Sequence, residues 1–190
     1  MKALAFDFLI LCGGRATRMQ GRDKPLLPYQ GRPMVASIAA TAPDATQIWI
    51  SANRNQAQYA QWGQVFSDEE VMTRAKDEPA GPLVGILGGL ERCQQDWLLV
   101  SPGDTPNLPE GWYSALLEQT KPDGAVVFDG GRQQHLHLLL ARELHTDLRA
   151  QLQAGEHRVW HWLSTLKIAT VEINHPEWFS NINTPDDLQS

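Results

Sequence analysis

The segment richest in chemistry runs Leu11-Cys12-Gly13-Gly14-Arg15-Ala16-Thr17-Arg18-Met19-Gln20-Gly21-Arg22-Asp23-Lys24. Adjacent glycines let backbone N–H groups wrap an anion with no Cβ in the way. Arg15, Arg18, Arg22 and Lys24 add positive charge over the same short stretch. These are the parts of a triphosphate cradle. The pattern is neither a P-loop, which ends in Gly-Lys-Ser/Thr, nor the spaced glycines of a dinucleotide fold. Taken alone, a Gly-Gly turn beside basic residues also reads as a solvated loop.

A second chemical element is Asp104, set between Pro102-Gly103 and Thr105-Pro106. A carboxylate just past a buried strand is well placed to hold Mg²⁺ beside phosphates. The competing reading is a turn or helix-capping aspartate. The phosphate loop tips the balance toward the metal.

Other candidates carry less. His135 and His137 have strand spacing but no third ligand nearby, so they read as structural or substrate-contact residues rather than a metal pair. His157 and His161 stand four apart without the glutamate and third ligand of a metalloprotease. The 7 tryptophans are scattered and read as packing. No nucleophile elbow is present, which argues against hydrolysis.

These residues need a scaffold, and the apolar pattern supplies one. Phe8–Leu11, Gln47–Ser51, Val65–Asp68, Trp97–Val100, Gly124–Phe128, His135–Leu140 and Ala169–Ile173 read as strands, with Val71-Met72 competing for the third. Helical segments are expected at Pro33–Ala42, Asn55–Gln64, Leu83–Leu90, Gly111–Gln119, Leu144–Ala154 and Val159–Leu166, with a last turn over Thr184–Leu188. The alternation predicts an α/β fold, a doubly wound, mostly parallel sheet with helices on both faces. Ligands then sit outside the carboxyl ends of the strands, on the loops after Leu11, Ile50, Val100 and Phe128.

The 190 residues fit one domain, residues 1–190. A net charge of −6, with 42% hydrophobic and 20% charged residues, disfavours a nucleic-acid or membrane-surface binder. Two cysteines, Cys12 and Cys93, suit a reducing cytoplasm rather than a disulfide framework. Asp7 interrupts the apolar start, no stretch approaches the roughly 18 apolar residues of a membrane span, and the start reads as a buried strand.

The ordered set Leu-x-Gly-Gly-x-x-x-Arg-Met-x-x-x-Asp-Lys, Gly-Arg-Pro-Met, Ala-Asn-Arg, Gly-Pro-Leu-x-Gly, Asp-Thr-Pro and Asn-x-Asn-Thr-Pro resembles the molybdenum cofactor guanylyltransferases. The resemblance spans Leu11 to Leu188. It implies a Rossmann-like nucleotidyltransferase domain that transfers GMP from GTP to molybdopterin cofactor, with pyrophosphate released and Mg²⁺ as cofactor. The rival readings are a cytidylyl- or sugar-phosphate nucleotidyltransferase and a non-catalytic nucleotide-binding homologue.

The resemblance also implies roles for single positions. Leu11, Cys12, Gly13 and Gly14 would contact the nucleotide, and the Gly-Gly pair favours GTP over CTP. Lys24 and Arg18 would neutralise phosphate. Asp104 would hold Mg²⁺ with Asn183, and Asn181 with Asn183 would serve the molybdopterin side. Molybdoenzyme proteins that donate and accept the cofactor are the implied protein partners.

The chain departs from the family at Ser51, where asparagine is common, so the expected nucleotide contact there falls either to Ser51 or to Asn53. It departs again at Gly103, where cysteine is common, and at His135-Leu136-His137, where His-Pro is expected. An acidic nucleotide contact is expected before Gly81-Pro82, and both Asp68 and Asp77 qualify.

Overall fold

The computed structural model describes residues 4–13, 23–72, 81–183 and 187. Its elements in chain order are β1 (Phe6–Leu11), β2 (Pro28–Tyr29), β3 (Arg32–Pro33), α1 (Met34–Ala39), β4 (Ile48–Ser51), α2 (Gln56–Tyr59) and β5 (Gln64–Phe66). There follow α3 (Asp68–Val71), α4 (Pro82–Arg92), β6 (Trp97–Pro102), α5 (Ser114–Gln119), β7 (Gly124–Phe128), β8 (Gln133–Ala141), α6 (His145–Gln153), α7 (Val159–Ser164) and β9 (Ile168–Glu172). The main sheet runs β5-β4-β1-β6-β8, parallel except for the antiparallel β6–β8 pair. Strands β7 and β9 pair in parallel. Strand β7 also lies against β8, with Asp129 N–H donating to the Arg132 carbonyl at one end and Ala141 N–H to the Asp123 carbonyl at the other.

The doubly wound, mostly parallel sheet expected from the sequence is therefore present. Alternate strand residues divide between two cores. Phe6, Phe8, Ile10, Leu99, Ala125 and Val127 face α1, α2 and α5. Leu9, Leu98, Val100 and Val126 face the side covered by α4, α6 and α7. Each large side chain buried in this way contributes about 1.5–3 kcal/mol of transfer free energy. Helix α4 approaches the sheet closely because it is rich in glycine: a Cβ on Gly85 would lie 2.8 Å from Leu11 Cδ2, and one on Gly89 would lie 2.7 Å from Leu9 Cδ2. The β2–β3 ribbon turns through Gln30 and Gly31, both at positive φ, as a two-residue hairpin requires.

Several bounds differ from the sequence reading. Helix α1 stops at Ala39, α2 is a single turn, and α5 starts at Ser114. Strand β5 ends at Phe66, and Asp68 instead opens α3. Ser67 and Glu70 form a capping box there, with Ser67 N–H donating to Glu70 Oε1 at 2.9 Å. Val71 is thus helical and no strand forms at Val71-Met72. Of the final turn expected at Thr184–Leu188, only Asp187 falls within the described residues. Among the described residues, no helix is long and apolar enough to cross a membrane.

Candidate functional site

Register places the site. Leu11 is paired with Ser51 on one side and Pro102 on the other, and Ser51 is paired with Phe66. The chain therefore leaves β1, β4, β5 and β6 at one level. Cys12-Gly13, Ala52-Asn53, Ser67-Asp68 and Gly103-Asp104 emerge side by side along the carboxyl edge, where parallel sheets bind ligands. Backbone bonds extend that alignment: Cys12 N–H donates to the Ser51 carbonyl, Gly103 N–H to the Leu11 carbonyl, and Ala52 N–H to the Phe66 carbonyl.

At the centre, the Lys24 ammonium donates to Asp104 Oδ2 at 2.6 Å and to Asn183 Oδ1 at 3.0 Å. Asn181 Nδ2 donates to Asp104 Oδ1 at 2.8 Å. Asp104 also ties down this C-terminal segment through its backbone, since its carbonyl accepts from Ile182 N–H at 3.0 Å. Asn183 N–H in turn donates to Asp187 at 2.8 Å. Four of the residues singled out from the sequence, Lys24, Asp104, Asn181 and Asn183, thus form one polar cluster from three distant segments.

The donor set suits a small hard cation. An ammonium already sits between the carboxylate oxygen of Asp104 and the amide oxygen of Asn183, so that gap favours positive charge. Among the described residues, no group of three or more His, Cys, Asp or Glu side chains could hold a metal. A cation bound through one carboxylate, one amide oxygen and substrate phosphates is the pattern usual for Mg²⁺.

The neighbouring stretch of the edge is organised around β4 and β5. Ser51 is only 2% exposed, and a Cβ on Gly85 would lie 2.8 Å from its Oγ, so the hydroxyl faces α4. Asn53, two residues on, is exposed at the edge. It grips Asp68 in both directions: its Nδ2 donates to Asp68 Oδ2 at 2.9 Å, and Asp68 N–H donates to its Oδ1 at 2.8 Å. Of the two acidic candidates, Asp68 is therefore on this edge, whereas Asp77 lies outside the described residues. Gly14 and Arg18 also lie outside them. Gly13 is exposed at the end of β1, and Leu11 is half-buried there.

Cys12 turns inward. Burial pushes its thiol well above the ordinary value, and the neighbouring Asp23 carboxylate adds to the effect. The thiol stays protonated and cannot serve as a nucleophile. It fills the space beside Gly103, where a Cβ would come within 2.8 Å of Cys12 Sγ and 3.0 Å of the Pro25 ring. A glycine at position 103 thus complements a cysteine at position 12.

His137 is fully enclosed, bonded to Thr105 Oγ1 at 3.2 Å and packed edge-on against Trp112 and Phe179. Burial lowers its pKa to about 3, so the ring is neutral. It supports the Asp104 loop from beneath. Asp23, Asn55 and Tyr59 border the cluster, and the sequence reading gave them no role. The one signal for Asp23 was its place directly before Lys24.

Comparison with known proteins converges on one family. A model of the MobA-like NTP transferase domain matches residues 8–171. The molybdenum cofactor guanylyltransferase of Shewanella frigidimarina is 41% identical over 189 residues, covering 96% of this chain and 93% of that protein. The guanylyltransferase of Cupriavidus pinatubonensis is 36% identical over 191 residues, covering 96% and 94%. The crystal structure of molybdopterin-guanine dinucleotide biosynthesis protein A from Archaeoglobus fulgidus aligns with a TM-score of 0.72 at 18% identity, covering 96% of this chain and 95% of that one. A putative protein from Aquifex aeolicus aligns with a TM-score of 0.76 at 21% identity, covering 95% and 94%. At such identities the two structures speak for the fold.

Proposed function

The chain belongs to the MobA-like nucleotidyltransferases, among the molybdenum cofactor guanylyltransferases, and on that premise we propose that it transfers GMP from GTP to molybdopterin. The single observation that carries the reading to this chain's own residues is the Lys24–Asp104–Asn183 cluster at the carboxyl edge of the parallel strands.

In the reaction, an oxygen of the terminal phosphate of molybdopterin bonds to the α-phosphorus of GTP. The bond from that phosphorus to the oxygen bridging to the β-phosphate breaks, and pyrophosphate departs with the electron pair. The attacking phosphate is already an anion, so the protein needs no side-chain nucleophile, in accord with the protonated Cys12. Catalysis rests on positioning and charge neutralisation. Lys24 leaves Asp104 for the phosphate oxygens of GTP, and Arg18 adds further positive charge to them. Asp104 and Asn183 Oδ1, freed of the ammonium, are the residues that would hold Mg²⁺. When bound, that ion would offset negative charge on the phosphates.

Backbone groups of Leu11, Cys12, Gly13 and Gly14 receive the nucleotide, with Asn53 and Asp68 at its far side. Asn53 takes the place that Ser51, turned toward α4, leaves open. Asn181, held by Asp104, faces the molybdopterin side together with Asn183. The setting is cytoplasmic, and the cofactor passes between this enzyme and molybdoenzyme partners.

The direct test incubates the purified chain with GTP, Mg²⁺ and molybdopterin and separates the products by chromatography. The reading expects a guanine dinucleotide of molybdopterin and one pyrophosphate for each. Binding of GTP with no dinucleotide formed would establish a non-catalytic homologue instead.

A further inference from the structure

Asp23 is a buried carboxylate, 9% exposed, directly before Lys24. Burying a charge is unfavourable unless hydrogen bonds compensate it. Asn55, 32 residues later, supplies one, its Nδ2 donating to Asp23 Oδ2 at 3.2 Å. Asn55 does so from a left-handed backbone, φ 51° and ψ 28°, one of two such non-glycine residues among those described. Left-handed residues cost free energy and persist where their surroundings require them. On the next turn, the Tyr59 hydroxyl is fully enclosed and has no formed hydrogen bond, with Asp23 and Cys12 as its polar neighbours.

Asp23 also starts the turn that carries Lys24. Its carbonyl accepts from Leu26 N–H at 3.0 Å, and the Lys24 carbonyl accepts from Leu27 N–H at 3.0 Å. The turn that carries Lys24 therefore starts at a residue whose side chain is held from the β4–α2 loop. The same loop holds Asp68 through Asn53. Residues 52–55 thus join the nucleotide side of the edge to the phosphate side.

We infer that Asn55 and Asp23 are positioning residues for nucleotidyl transfer: the Asn55 amide fixes the Asp23 side chain, and Asp23 anchors the turn from which Lys24 reaches Asp104 and the substrate phosphates. The inference rests on the role proposed above for Lys24. Neither Asn55 nor Asp23 touches the reacting atoms.

Asn55→Gly tests it, because glycine accepts the left-handed backbone and removes only the amide. Misplacing a reacting group by a fraction of an ångström is a loss of effective orientation, and a roughly tenfold fall in kcat is expected. The GTP KM should stay within about twofold, since binding uses other groups. In a Lys24→Ala background the same substitution should change kcat by less than about twofold, because residues acting as a unit are not additive. Unchanged kcat in Asn55→Gly, or an equal fold-loss with and without Lys24, would overturn the inference and leave Asn55 a purely structural residue. Full turnover in Lys24→Ala alone would instead sink the reading of the lysine on which the inference stands.

Discussion

The Lys24 ammonium and Asp104 Oδ2 stand 2.6 Å apart across 80 residues of sequence, partly open to solvent on both sides. Such a pair adds little to stability, typically below about 1 kcal/mol. Its value lies in chemistry. Lys24→Ala should lower turnover by about 10²–10³, the usual cost of one preorganised charge donor. The melting temperature should stay close to that of the parent. A large fall in melting temperature with unchanged turnover would reverse the assignment.

Asp68 is expected to be the acidic residue used for GTP. Its carboxylate lies at the carboxyl edge of β5 and is held by Asn53. Asp68→Asn should raise the GTP KM by roughly 10–100-fold, the range that losing a charged hydrogen-bond acceptor predicts. Asp77→Asn should leave the KM near its parent value. Steady-state kinetics on the two variants decide between them, and the opposite ranking would transfer the role to Asp77.

Cys12 and Gly103 form a size-matched pair. Gly103→Ala should cost about 1–3 kcal/mol, as overpacking does, since the new Cβ meets Cys12 Sγ and Pro25. Cys12→Ala should recover most of that loss when combined with Gly103→Ala. Denaturant unfolding of the single and double variants measures the coupling. Additive effects would show that the two side chains do not share the space.

His137 should make stability fall in acid. Its folded pKa, lowered to about 3 by burial against the opposing charge of Asp129, lies below the unfolded value of about 6.5. Between these values the unfolded chain binds the extra proton, so stability is full above about pH 6.5 and declines as pH falls toward 3. At pH 5 the loss is about 2 kcal/mol. His137→Leu should flatten this limb of a melting-temperature profile. Thr105 keeps its bond to the Pro102 carbonyl in that variant. An unchanged acid limb would exclude His137 as its source.

Much of the site was legible because it obeys local rules. Gly13, Lys24 and Asp104 follow apolar strands or sit in loops whose residue types already suggest phosphate and metal chemistry. Asn183 was legible only through family resemblance, because its contact with Lys24 joins positions 159 residues apart and no spacing rule reaches that far. Asp68 was harder still. The apolar Val65-Phe66 suggested that the strand continued through it, although Ser67-x-x-Glu70 carries the signature of a helix start at that point. The antiparallel course of β8 was also missed, though Asp129-Gly130-Gly131-Arg132 is a turn sequence suited to a chain reversal. The link from Asn55 to Asp23 depends on a left-handed asparagine, a conformation that residue type permits but does not specify.

The account stands most directly on Asp104. The measurement is formation of radiolabelled dinucleotide from molybdopterin and α-labelled GTP or CTP at ordinary Mg²⁺ concentration, with wild type and Asp104→Asn side by side. Asparagine keeps the shape and the turn-forming ability of aspartate but loses the charge that balances Lys24 and suits a hard cation. Wild type should make dinucleotide from GTP and far less from CTP. Asp104→Asn should lose transfer almost completely while retaining most of its GTP affinity. Full transfer by Asp104→Asn, or equal use of CTP by wild type, would contradict the account.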